Sequence, residues 1–297
     1  MTTNTKHTQS TRSTQHDAAG PTVLVTAATG KTGRRVARVL TEHGALVRAG
    51  SRSGSTPFDW ESPATWGPAL DGADAAYVAY YPDLAAPGAA EALTAFGELA
   101  VAHGVERVTL LSGRGEPEAV AAEEALRATG VGLTVVRAAF FAQNFDEGLL
   151  AEGVAAGTIA FPAGDTAEPF IDADDLADVI VATLLQEEHA GLVHEVTGPR
   201  VLTFAEVAAE LSRAAGHEVV YVPMEEAEFA RMLGEFGLPE PEAVWLAGLF
   251  TTLLDGHNAS VTDGVKRVLG REPRDFSAYA ERAFGAAAGA AGAAGRA

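Results

Sequence analysis

One stretch restricts the possible folds more than any other: Val23 to Leu40, VLVTAATGKTGRRVARVL. Val23, Leu24, Val25 and Thr26 form an unbroken aliphatic and β-branched run, the pattern of a strand buried on both faces of a parallel sheet. A short Ala/Thr/Gly turn follows, and Val36, Ala37, Val39 and Leu40 then fall on one face of a helix. Strand, glycine turn and helix in this order suit the pyrophosphate of a dinucleotide. Glycines let the backbone approach the phosphates, and the helix N-terminus offers free N–H groups and a favourable dipole. Of the usual G-x-G-x-x-G spacing only the last two glycines remain, Gly30 and Gly33, and the first position is held by Ala27 or Ala28. Gly30-Lys31-Thr32 also resembles the end of a P-loop. That motif needs a glycine where Val25 stands, inside the strand, so an ATPase or GTPase of that type is excluded.

The chain then alternates strands and helices. A second strand is expected over 45–50, and its exit is informative. An NAD site usually places Asp or Glu there, whereas this chain has Ser51-Arg52-Ser53. An arginine flanked by hydroxyls suits a 2′-phosphate, so the expected cofactor is NADPH. Phe58-Asp59-Trp60 predicts a short third strand, with Asp59 in reach of an adenine amino group. Helices are expected over 64–70, 88–103 and 117–128, and strands over 75–80, 107–111 and 133–137. The alternation predicts a Rossmann-type doubly wound parallel sheet of the α/β class, with a smaller, mostly helical C-terminal substrate region. Ligands of such sheets sit beyond the strand C-termini, which puts Tyr80 and Tyr81 at the cofactor edge.

Further on, Phe140 to Phe145 follows the sixth strand, beside the expected nicotinamide position; its backbone suits the carboxamide, and Phe141 and Asn144 would face substrate. Asp172, Asp174 and Asp175 open a helix to Leu185 and favour its N-terminal dipole. His189 and His194 lack metal-ligand spacing and are expected at the surface. Strands are predicted over 193–197 and 219–223, Thr203 as the cap of a helix over 204–215, and a last helix over 276–284. Met224 to Leu254 carries Phe229, Met232, Phe236, Trp245, Leu249 and Phe250 on helical patterns broken at Pro239 and Pro241. The expected organisation is a disordered tail over 1–20, an NADP-binding core over 21–145, a substrate-binding region over 146–285 with parts returning to the core, and a low-complexity tail over 286–297.

Composition narrows the function classes. The absence of cysteine excludes disulfides, thiol catalysis and cysteine metal sites, and fits a cytoplasmic protein. Acidic residues outnumber basic ones 40 to 21, a formal charge of -19 that repels phosphate backbones, so no nucleic-acid partner is expected. No apolar run approaches the roughly 20 residues of a membrane span, and no segment reads as a signal peptide. No metal site is expected.

An ordered set of motifs carries a resemblance. It comprises Thr26-Ala27-Ala28-Thr29-Gly30-Lys31-Thr32-Gly33; Asp59 and Asp71-Gly72-Ala73-Asp74; Leu111-Ser112; Glu123-Glu124-Ala125-Leu126; Leu133 to Arg137; Phe140 to Phe145; and Phe170 to Asp175. With this set the chain resembles the NmrA-like branch of the atypical short-chain dehydrogenase/reductases, over most of Val23 to Leu185. The resemblance implies cofactor contacts at Thr26, Ala28, Thr29, Gly30, Lys31, Thr32, Gly33, Ser51, Arg52, Ser53, Asp59, Ala79, Tyr80, Tyr81, Ser112, Ala138 and Phe140. It implies substrate contacts at Phe141, Asn144 and Trp245, with the C-terminal region closing over a flat hydrophobic substrate. Within the branch the chain is similar to actinomycete members that tailor aromatic polyketides, of the angucyclinone ketoreductase type found in simocyclinone biosynthesis. The implied function is NADPH-dependent reduction of a ketone on a polycyclic aromatic natural product. The alternatives are a quinone or imine acceptor, or a non-catalytic NADP(H)-sensing regulator. The partner expected first is thus a hydrophobic aromatic small molecule; the oligomeric state is left open.

The chain departs from the family at the catalytic acid. Most short-chain reductases use a serine with Tyr-x-x-x-Lys, the tyrosine donating the proton. Here Glu116 and Val120 stand at those positions when the helix is aligned by Glu124, and Gly115 and Ala119 when it is aligned by Glu123. The three lysines, Lys6, Lys31 and Lys266, lie four residues after no tyrosine. Ser112, Tyr81 and Asn144 remain as catalytic candidates. A phenol beside the substrate carbonyl would supply polarisation in the tyrosine's place, with water delivering the proton.

Overall fold

The computed structural model describes residues 20–294, with side chains to Gly285; the predicted N-terminal tail up to residue 19 lies outside the described residues. Strands β1 (Thr22–Val25), β2 (Leu46–Ser51), β3 (Thr56–Pro57), β4 (Ala75–Val78), β5 (Arg107–Gly113) and β6 (Gly132–Ala138) alternate with helices α1 (Gly33–Glu42), α2 (Trp66–Leu70), α3 (Ala89–Ala102) and α4 (Pro117–Ala128). After them come α5 (Ala151–Ala155), β7 (Thr158–Phe161), β8 (Ala167–Glu168), α6 (Ala173–Leu185), β9 (Val193–Val196), β10 (Leu202–Thr203), α7 (Phe204–Ala215) and β11 (Val220–Pro223). The chain closes with α8 (Glu226–Glu235), α9 (Glu240–Leu253), α10 (Gly264–Leu269) and α11 (Phe276–Ala294).

Seven strands form one sheet in the order β3-β2-β1-β4-β5-β6-β9, every pairing parallel. The order reverses between β1 and β4, the topological switch of a doubly wound sheet. Alternation along β1 sends Leu24 to one face and Val23 and Val25 to the other. Leu24 packs with Leu70, Phe96, Leu110 and Leu126 under α2, α3 and α4. Val23 and Val25 pack with Val36, Leu40, Leu176 and Ile180 under α1 and α6. The sheet is therefore buried on both faces, which is why its strands read as continuous apolar runs.

A third core lies off the sheet. Phe145, Phe161, Phe170, Phe204, Phe229 and Phe276 are buried with half-buried Phe140 and Phe250 against them. Their rings meet mostly edge to face, Phe161 lying 4.9 Å from Phe250 and Phe140 6.3 Å from Phe145. The parallel pair β7–β11 and the antiparallel pair β8–β10 frame this core. Of the pattern expected to form a substrate lid, Phe229, Met232 and Phe250 pack into or against this core. Phe229 is fully buried, whereas Phe236 is exposed at the end of α8. Pro241 does not break a helix: it sits in the first turn of α9, where a missing N–H costs nothing.

Four other expectations are corrected. The third strand falls on Thr56–Pro57 rather than 58–60, because the Asp59 carbonyl accepts the Trp66 indole N–H at 2.8 Å and the chain turns away. Strand β4 stops at Val78, since Ala79 bonds to the Thr26 hydroxyl and the Trp60 indole instead of a neighbouring strand. His189 and His194 are buried, at 6 % and 5 % exposure, with their rings edge to face at 5.0 Å. The turn after α6 folds against the sheet, the Thr134 hydroxyl donating to the His189 carbonyl at 2.9 Å. Finally, α11 continues past residue 284 to Ala294, as alanines between the glycines favour the helix.

Candidate functional site

The segment between β1 and α1 forms a tight cradle. Gly30 N–H donates to the Ala27 carbonyl at 2.8 Å, and Ala27 has φ +48°, a left-handed conformation that normally favours glycine. Ala27, not Ala28, therefore occupies the position of the lost first glycine. A Cβ on Gly33 would lie 2.2 Å from the Ala27 carbonyl oxygen, so only glycine lets the helix start here. Three bonds hold the cradle to the sheet. Thr26 N–H donates to the Tyr77 carbonyl at 3.0 Å, Ala28 N–H to the Gly50 carbonyl at 3.0 Å, and the buried Tyr77 hydroxyl to Thr32 Oγ1 at 2.8 Å.

The flanks of the cradle carry the predicted cofactor residues. Ser51 ends β2, buried, and Arg52 and Ser53 are exposed beside it, Arg52 forming no ion pair among the described residues. Thr29 is exposed and Gly30 half-buried at the mouth. Asp59 is half-buried and its Oδ1 accepts the Glu61 N–H at 3.1 Å. Tyr80 is half-buried with its ring 4.9 Å from Trp60, and Tyr81 is 68 % exposed beyond β4. An adenosine with a 2′-phosphate fits this edge: a backbone cradle that side chains would fill, and a free guanidinium flanked by hydroxyls.

Across the cradle, the turn after β6 meets the segment before α6. Phe141 and Ile171 form a parallel bridge, with Ala142 N–H donating to the Ile171 carbonyl at 2.9 Å. This bridge brings Asn144 to Lys31, whose ammonium donates to Asn144 Oδ1. Burial, partly offset by Glu147 and Asp146, lowers the Lys31 pKa to about 8. The Tyr279 hydroxyl on α11 donates to Asp146 at 2.7 Å. Arg35 bonds Glu147 at 2.6 Å and Asp174 at 3.0 Å, so α1 is clamped to this segment. The acids opening α6 do more than favour its dipole. Asp172 caps the helix, while buried Asp175 binds Arg274 at 2.5 Å.

Other predicted residues are engaged elsewhere. The Ser112 hydroxyl donates to Glu123 Oε1 at 2.6 Å, and fully buried Glu123 is held by Arg137 at 2.6 Å. The Ala138 carbonyl accepts the Arg114 N–H at 3.1 Å, and the Phe140 ring points into the aromatic core. Trp245 is half-buried on α9.

Sequence reasoning missed one arrangement. Asp83, after β4, and Glu116, at the N-terminus of α4, bring their carboxyls close together beside Gly113, the last residue of β5. Burial, and next the Asp83 charge, push Glu116 up to about 9; burial likewise raises Asp83. The only sequence signal was that Glu116 stands where the family tyrosine would. Among the described residues no group of three or more His, Cys, Asp or Glu is arranged to hold a metal, and no helix is long and apolar enough to cross a membrane. An open groove of about 810 Å³ between α7 and β11 uses none of these residues.

The NmrA-like family model matches residues 119–280. An NAD(P)H azoreductase of Xenophilus azovorans is 31 % identical, over 89 % of this chain and all of its own. Festuclavine dehydrogenase easG of Aspergillus fumigatus is 30 % identical, over 88 % of this chain and 97 % of its own. Among solved structures, the NADPH complex of the quinone oxidoreductase QOR2 from Escherichia coli superposes with a TM-score of 0.69 at 22 % identity, covering 88 % of this chain and 99 % of that one. The chain belongs to the NmrA-like family.

Proposed function

We propose that this protein is an NADPH-dependent reductase acting on a ketone of a polycyclic aromatic natural product. The observation that carries the cofactor assignment is the cradle of Ala27, Gly30 and Gly33 bonded to the end of β2, where Ser51, Arg52 and Ser53 lie together. Relatives named azoreductase and festuclavine dehydrogenase support redox chemistry. Bound NADPH supplies the hydride, and the protein orients it against the acceptor. The glycine cradle would hold the pyrophosphate, Arg52 the 2′-phosphate, and the Phe140–Asn144 turn the nicotinamide end.

A ketone beside a phenol suits a site without Tyr-x-x-x-Lys, because the neighbouring hydroxyl bonds the developing alkoxide. Exposed Tyr81 and half-buried Phe141 and Trp245 offer flat faces to such a ring system. The test is loss of NADPH absorbance with a panel of polycyclic aromatic ketones, quinones and imines. Alcohol recovered from a ketone supports the proposal. Reduction confined to quinones or imines replaces the acceptor. Tight NADPH binding with no acceptor reduced replaces the enzyme with a cofactor-sensing regulator.

A further inference from the structure

The Asp83–Glu116 pair is built into the candidate site rather than onto the surface. The Glu116 side chain is 6 % exposed, and its Oε2 has no hydrogen-bond partner. Its carboxyl lies flat on Gly113: a Cβ there would sit 2.0 Å from Oε1 and 2.5 Å from Oε2. Gly113 pairs with Ala138 of β6, and Asp83 follows exposed Tyr81 by two residues. Both partners thus stand at the C-terminal edge of the sheet, beside residues assigned to the cofactor.

Both carriers are pinned. Asp83 Oδ1 accepts the Ala85 N–H at 2.8 Å. The loop bearing Glu116 is strapped by the segment before α10. Asn258 Nδ2 donates to the Arg114 carbonyl at 3.0 Å, His257 Nε2 meets the Gly115 carbonyl at 3.1 Å, and Arg114 donates to the Ser260 carbonyl at 3.0 Å. The charged groups acting on Glu116 are acidic: Asp83 from the loop after β4, and Glu118 and Glu123 from its own helix. Among the described residues neither Asp83 nor Glu116 forms an ion pair with a cation; Arg114 is turned to Glu195 and Arg137 to Glu123. Half-buried Asp83 and buried Glu116, close together without a cation, hold one proton between them near neutral pH, because their repulsion pushes the second ionisation upward.

We propose that the Asp83–Glu116 pair, in the place of the missing tyrosine, is the proton donor of the reductase. This rests on the reductase reading. The Glu116 O–H bond breaks as one water at the sheet edge takes that proton and passes its own to the substrate alkoxide. The transfer leaves both carboxylates charged for a moment, and their repulsion draws a proton back from solvent to restore the singly protonated pair. The two electrons and the hydrogen on carbon are the cofactor's. A raised Glu116 pKa keeps the proton available at pH 7.

The test uses full-length wild type, Glu116→Gln and Asp83→Asn. E116Q keeps the shape and offers Asp83 an N–H, but has no proton to give. Its turnover should fall at least about 100-fold, with NADPH affinity within twofold by fluorescence titration. Wild-type turnover should be flat near neutrality and decline above about pH 9, and D83N should move that decline toward neutral pH. Melting temperature gives a readout without turnover. A carboxyl whose folded pKa is raised stabilises below its unfolded pKa, and that stability is lost as pH rises through the folded value. E116Q should therefore gain on the wild type in melting temperature between about pH 5 and pH 9. A wild-type rate and pH profile in E116Q, or a melting difference independent of pH, overturns the proposal. If the wild type reduces no acceptor, the reductase reading fails and the donor role falls with it, whatever the melting curves show.

Discussion

Two residues at the candidate cofactor edge, Ala27 and Arg52, stand out. Ala27 holds a left-handed backbone with a Cβ, which costs about 1–2 kcal/mol, part of which glycine forfeits through its freer unfolded chain. Ala27→Gly should accordingly raise stability by about 0.5–1 kcal/mol in urea unfolding. Arg52 stands free beside Ser51 and Ser53, so its guanidinium is available to a 2′-phosphate. Arg52→Ala should weaken NADPH binding by about 10- to 100-fold and leave NADH binding unchanged, as checked by fluorescence titration of both. Ser112 teaches the opposite lesson. Its place at the C-terminal end of β5 was legible, though the strand runs on through it to Gly113; its hydroxyl is taken up by Glu123, a partner eleven positions away whose burial no local pattern reveals.

Elements owe their limits to caps and to neighbours in different measure. Helix α7 begins where Thr203 predicts, since Thr203 and Glu206 form a reciprocal capping box. Thr203→Ala should cost about 1 kcal/mol of stability, measured by denaturant unfolding, with NADPH affinity unchanged. Helix α4 likewise runs over the expected residues, Pro117 opening it. The strand after β2 shifted because the Trp66 indole captured the Asp59 carbonyl, a contact between side chain and backbone that strand periodicity does not encode. The aromatic spacing of α8 and α9 was read correctly as helical. Which way it faced depended on Phe140, Phe161 and Phe204 arriving from other elements to enclose it.

For the whole molecule, pH acts through groups that folding removes from water. Burial lowers the His194 pKa to about 4, with His189 and Arg267 adding to the effect. A histidine kept neutral in the fold supports stability above its unfolded pKa, and that support is lost as pH falls through the folded value. Melting temperature should therefore drop between about pH 6.5 and pH 4, and His194→Gln should flatten that drop, as followed by circular dichroism. The doubly wound sheet, the glycine turn between β1 and α1 and the Ser51-Arg52-Ser53 exit of β2 followed from the sequence alone, because each is written in residues close along the chain: apolar runs, glycines at a turn, an arginine at a strand end. The joining of Lys31 to Asn144, the burial of His189 and His194, and the pairing of Asp83 with Glu116 were decided only by tertiary structure. Each depends on desolvation and on contact between segments distant in sequence, and neither property is carried by spacing.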